Sequence, residues 1–353
     1  MKFRKALSII LSIILLMTAG SIIAGAEERV PASLNDGKEA LLGQFEYGIG
    51  PETEGYAIDY RYYSPVGEND DTKYPLVIWL HGMGDGEFDG KQISAHDASR
   101  LASAELQSRF TNGGAYIFAP RSLEEKELYW ADELIVPVRA AIDDFIAKNS
   151  NVDVSRIYVG GYSMGGKMTL KMAVAYPEMF AAAFPICPAW VPGTEATAKL
   201  SDMPIWLTSS AADPTVGYFT WVMPTWKNLI STTNKPENCR FSTLSVVCYP
   251  NGVPVYSSHF SWYAVTNDMF SYDNGDYPLM KTVDGNGEKV ILTYPDGMIS
   301  WLCSFTSDYD GAPAADKGNA EARGGYGVKT GFALIGEFIK NFIEYIFSSL
   351  KMF

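Results

Sequence analysis

The sequence predicts an α/β protein, a mostly parallel sheet with helices on both faces. Short apolar runs alternate with stretches whose apolar residues recur at helical spacing. Glycine-rich joints separate the two kinds of segment. Hydrophobic residues make up 47% and charged residues 20% of 353, so the bulk is globular, with material for one large domain or two small ones.

Each element follows in order. Lys2, Arg4 and Lys5 precede an apolar run over 6–23, and Ala24-Gly25-Ala26 offers a small-residue cut, so 1–26 reads as an export signal. The run is long, which keeps an uncleaved anchor as the alternative. No cysteine near the cut invites lipid attachment. "FEYGIG" and "YAIDYRYYSP" predict an opening antiparallel hairpin, and "YPLVIWLHGMGDG" a strand ending in glycines. "DASRLASAELQSRF" reads as helix, "GGAYIFAP" as strand, and "ADELIVPVRAAIDDFIAKN" as helix with Pro137 near its start. "SRIYVGG" is a strand and "KMTLKMAVAYP" a helix; "AAAFPICPAW" and "MPIWLTSSAADP" are strands. A catalytic domain is expected over 27–310, with an insertion at 269–297. Its "PLMKTVDGNGEKVILTYP" suggests a hairpin turning at Asp284-Gly285-Asn286-Gly287. Residues 311–329 read as a linker. Residues 330–353 read as an amphipathic helix that docks on the parent domain, pairs with another protomer or lies in a membrane interface.

Losing residues 1–26 removes three positive charges, moving the formal charge from −13 to −16. Such acidity argues against nucleic acid as partner. Four cysteines, Cys187, Cys239, Cys248 and Cys303, form no CxxC, which argues against structural zinc. Cys239 and Cys248 flank a strand whose ends lie too far apart to bridge, so each pairs elsewhere or remains a buried thiol.

Gly161-Tyr162-Ser163-Met164-Gly165 sits between a predicted strand and a predicted helix. That is a G-x-S-x-G nucleophile elbow, where small neighbours let strand and helix nearly touch and the serine oxygen projects. A serine needs a base, and the base an orienting acid. Of His81, His96 and His259, only His259 follows Ser163, as the order Ser, acid, His requires. Asp213 closes the strand "MPIWLTSS"; Asp202 precedes that strand, and Asp268 follows His259. The expected acid is therefore Asp213. The expected oxyanion donors are the N–H groups of Met164 and of Met83, with Gly84 as the alternative to Met83. His81 reads as a loop-fixing residue, and His96 receives no role. Read singly, Asp213-Pro214 is a turn starter and His259 a half-buried structural histidine. Their joint order favours chemistry.

"LHGMGDG", "RIYVGGYSMGG", "AYPEMFAAAFPICPAW", "MPIWLTSSAADPTV" and "SSHFSW" resemble the serine esterases of the α/β-hydrolase fold. The nearest branch holds secreted feruloyl-esterase-like and polyhydroxybutyrate-depolymerase-like enzymes, related to the catalytic domain of prolyl-oligopeptidase-type peptidases. The resemblance covers 70–268, with "MISWLCSF" matching the closing helix. It implies Ser163 as nucleophile, Asp213 as acid, His259 as base, no cofactor or metal, and a small or polysaccharide-linked ester as substrate. Ser209-Ser210 stands where the family often has His-Gly, and 269–297 is extra; both bear on substrate. The rival readings are a peptidase and a non-catalytic surface-binding relative. Tyr272, Tyr277 and Tyr294, with Trp190, Trp221, Trp226 and Trp262, are candidates for a substrate rim, against the alternative of packing.

Overall fold

The computed structural model describes residues 38–65, 71–249, 252–271 and 280–312. The leader, the tail helix and Tyr272 and Tyr277 lie outside the described residues. Among the described residues, nine strands form one sheet: β1 (Glu46–Ile49), β2 (Asp59–Tyr63), β3 (Tyr74–Leu80), β4 (Tyr116–Pro120), β5 (Val152–Tyr162), β6 (Ala182–Ile186), β7 (Ile205–Ser210), β8 (Cys239–Leu244) and β9 (Met280–Asp284). Their order is β1-β2-β4-β3-β5-β6-β7-β8-β9. The six from β4 to β8 are parallel, while β1, β2 and β9 add antiparallel edges.

Alternation along the strands builds two cores. In β3, Val77 and Trp79 face one layer, while Leu76, Ile78 and Leu80 face the other. The second layer is roofed by α1 (Ile135–Lys148) and α2 (Met164–Ala175), through Ile135, Val138, Phe145, Met168 and Leu170. The first is roofed by Leu101, Leu106, Trp262 and Trp301. Because β3, β4, β5, β6 and β7 run the same way, the loops after them meet along one rim.

One expectation changes. The helix expected over 97–110 is a 3₁₀ stretch, Ala95–Ala102, and one short α-turn, Ala104–Gln107. Ser103, extended at φ −66, ψ 142, separates them, and its hydroxyl caps the second by accepting from Leu106 N–H. The hairpin expected within the insertion forms. β9 pairs antiparallel with β8, placing Asp284 opposite Arg240 near the start of β8. The turn beyond it reaches Pro236, whose carbonyl accepts from Gly285 N–H, at the far end of the sheet from the strands' carboxyl termini. The pairing capacity of the β8 edge decided this: an apolar strand joins an open edge more favourably than it stands in water.

Candidate active site

β5 ends at Tyr162, and α2 begins at Met164. Ser163 between them has φ 57, ψ −116, a conformation that costs a residue with a Cβ about 1–3 kcal/mol. The surroundings enforce it. Ser163 N–H donates to the Ile186 carbonyl at 3.0 Å, and its own carbonyl accepts from Lys167 and Ala189 N–H. A Cβ on Gly161 or Gly165 would stand 2.3 or 2.0 Å from the Leu80 carbonyl oxygen. Only hydrogens fit there, so strand and helix close on the serine.

The rim brings three distant side chains together. Asp213, in the loop after β7, accepts at Oδ1 from Thr215 and Val216 N–H at 2.8 and 2.9 Å. Its Oδ2 lies 2.8 Å from His259 Nδ1, and His259 Nε2 lies 3.1 Å from Ser163 Oγ. The carboxylate can only accept, which puts the proton on Nδ1 and leaves the Nε2 lone pair facing the hydroxyl. Trp262 packs its ring at right angles to the His259 ring, 5.2 Å away, and against Tyr162 at 4.2 Å. Ser163, Asp213 and His259 are all buried. Burial disfavours the imidazolium, but Asp213 and the Cys187 sulfur more than offset this, raising the His259 pKa above its ordinary value.

The loop after β3 carries the second expected donor. Gly84 N–H, the alternative to Met83, donates to Glu124 Oε1 at 2.9 Å. Tyr162 Oη donates to Asp85 Oδ2 in the same loop. His81, fully buried, accepts at Nε2 from Ser122 N–H (3.0 Å) and donates from Nδ1 to the Gly82 carbonyl (2.7 Å). Burial drives its pKa down to about 4, so it stays neutral and ties this loop to the one after β4. His96 lies in the 3₁₀ stretch. Met164 N–H opens α2, where the helix dipole favours negative charge.

Asp202 lies before β7, exposed and 3.9 Å from Lys235. Asp268 is buried; it pairs with Arg109 at 3.1 Å and accepts from Met298 and Ile299 N–H at the start of α3 (Met298–Cys303). Several rim candidates are instead packing residues. Trp190, Trp226 and Trp262 are buried and Trp221 is half-buried, whereas Tyr294 is exposed, with the Arg109 guanidinium over its ring. Ser209 and Ser210 are buried in β7. Exposed apolar side chains on the segments that carry the site include Met83, Phe88, Phe219, Val253 and Tyr256. Sequence reasoning missed Phe219 and Tyr256; their closeness to Asp213 and His259 in the chain was the available signal. It also missed Cys187, the residue directly after β6, whose sulfur lies 3.7 Å from the His259 carbonyl oxygen. All four cysteines are thiols, with Cys187 and Cys239 buried.

Fold and geometry together define an α/β-hydrolase carrying a Ser-His-Asp constellation. Residues 55–216 match the model of the Esterase family, described as "Putative esterase". Over 124 residues, 32% of the chain, it is 28% identical to poly(3-hydroxyalkanoate) depolymerase C of Paucimonas lemoignei. The chain spans only 27% of that relative's length. A thermostable esterase of solved structure shares the fold with a TM-score of 0.57 and 24% identity, over 76% of this chain and 64% of that one.

Proposed function

We propose that the chain is an exported serine carboxylic ester hydrolase working through an acyl-enzyme. The observation that carries this reading is the unbroken relay from Ser163 Oγ through the His259 ring to Asp213 Oδ2, at 3.1 and 2.8 Å. Ser163 Oγ attacks the ester carbonyl as His259 Nε2 takes its proton. Met164 and Met83 N–H receive the oxyanion. His259 then protonates the departing alcohol. A water, activated by the same ring, releases the acid and restores Ser163. Asp213 holds the ring and stabilises its charged form. The chemistry uses protein groups alone.

The substrate class we propose is a phenolic or polysaccharide-linked ester met outside the cell. Phe219 and Tyr256 offer rings for stacking on an aromatic acyl group or a sugar, and the basic-apolar leader supports export. Residues 330–353 are proposed as a peripheral attachment or self-association helix. Wild type and Ser163→Ala are assayed on feruloyl, acetyl, short aliphatic and 3-hydroxyalkanoate esters, with a fluorophosphonate label. Turnover should fall by about 10⁵-fold or more in Ser163→Ala, with labelling lost. Equal rates for wild type and Ser163→Ala would overturn the enzyme reading. Indifference among the acyl groups would overturn the substrate class.

A further inference from the structure

Behind the His259 ring lies a donor set that hydrolysis does not use as such. Cys187 Sγ, a carboxylate oxygen of Asp213 and a ring nitrogen of His259 all lie within 4.8 Å of one another. Cys187 is fully buried at φ 34, and its N–H is fixed on the Thr208 carbonyl at 2.8 Å. We propose that these three side chains form an inhibitory binding site for a thiophilic divalent cation of the zinc class.

Thiolate, imidazole and carboxylate are the ligand types zinc selects, whereas magnesium and calcium demand oxygen alone. Tetrahedral zinc, with bonds of about 2.0–2.3 Å, wants ligand atoms about 3.3–3.7 Å apart. Closing the set needs the sulfur and the ring to approach by about 1 Å while the Asp213–His259 pair, 2.8 Å apart, opens by about 0.5 Å. His259 can supply part of this, because residues 255–261 before Trp262 form neither helix nor strand. Charge also closes. The ion displaces the Cys187 thiol proton, which is released, and shifts the His259 ring proton from Nδ1 to Nε2, so one proton leaves. Thiolate and carboxylate then neutralise its double charge in a buried place. With metal on Nδ1, Asp213 no longer orients the ring and Nε2 loses basicity, so the Ser163 proton has no acceptor. The cation is an off-switch, not a cofactor.

The inhibition rests on the proposed ester hydrolysis; the binding does not, and the experiment separates them. Full-length protein is titrated with Zn²⁺ during ester turnover, and with Co²⁺ while thiolate-to-cobalt charge transfer is recorded. Turnover should fall with Zn²⁺, ignore Mg²⁺ and recover with EDTA. The cobalt band should appear in wild type and in Ser163→Ala, and vanish in both Cys187→Ser and Cys187→Ala. Those two variants should need roughly tenfold or more Zn²⁺ for the same fractional inhibition. A band in a protein that hydrolyses no ester supports the site and removes the proposed function. No band in wild type, a band kept by the Cys187 variants, or unchanged zinc sensitivity in them overturns the proposal.

Discussion

The elbow at Ser163 and the loop at His259 hold their side chains by opposite means. At the elbow, backbone meets backbone: Gly161 and Gly165 leave no room for a single carbon against Leu80. The position of Ser163 is a steric consequence of β3, β5 and α2 packing. At His259 no regular element helps. The residue is fixed by Ser257 Oγ and Ser261 N–H along its own loop, and by Asp213 and Trp262 through side chains. One half of the proposed reaction centre is built on close packing and the other on hydrogen bonds and ring contacts. Damage to the first should therefore appear as lost fold, and damage to the second as lost turnover in an intact fold.

The largest expected effect tests the loop. Asp213→Asn should lower kcat about 10⁴-fold at neutral pH, because the ring then loses its tautomer, while the melting curve moves little. The pH profile sharpens this. His259 acts when neutral, so kcat/KM should fall as pH drops through its pKa. In wild type that limb should lie above the ordinary value of 6.5, and in Asp213→Asn it should move to lower pH. At the elbow, Gly165→Ala should cost about 3 kcal/mol or more of unfolding free energy, read by urea titration, since its Cβ meets two carbonyl oxygens that cannot retreat. A well-folded, inactive Gly165→Ala would break the contrast.

His81, next to the elbow, gives a further effect of similar size. Its folded pKa, about 4, lies below its ordinary 6.5, so its contribution to stability is present above pH 6.5 and is lost as pH falls towards 4. That loss approaches about 3 kcal/mol. The stability gap between wild type and His81→Gln should narrow accordingly between pH 7 and pH 4. The smallest effect is Trp262→Phe, which leaves the His259 ring less supported. It should cost about 1 kcal/mol in stability and lower kcat more than it raises KM.

The same contrast explains what could be read from the chain. The elbow is local: five consecutive residues between an apolar run and a helical run state its geometry. The strand order Ser, Asp, His pointed to His259 and Asp213 because few histidines exist, not because their loop has a recognisable form. What escaped is non-local. Whether Trp190 or Tyr256 faces water depends on which elements close over it, and their compositions look alike. The 284–287 turn was visible, but its place depended on the edge that β9 joins. Cys187 was visible as a strand-end residue, while its approach to His259 requires two segments 72 positions apart to meet.

Asp268 joins parts of the chain that are made at very different times. Its carboxylate, fully buried, needs Arg109, 159 positions earlier, and the first amides of α3, some 30 positions later. Neither partner alone satisfies both oxygens. Closing so long a loop carries an entropic cost before any reward arrives. This latch therefore belongs to the last stage of folding, and truncations anywhere before residue 299 should yield chains that collapse but do not lock.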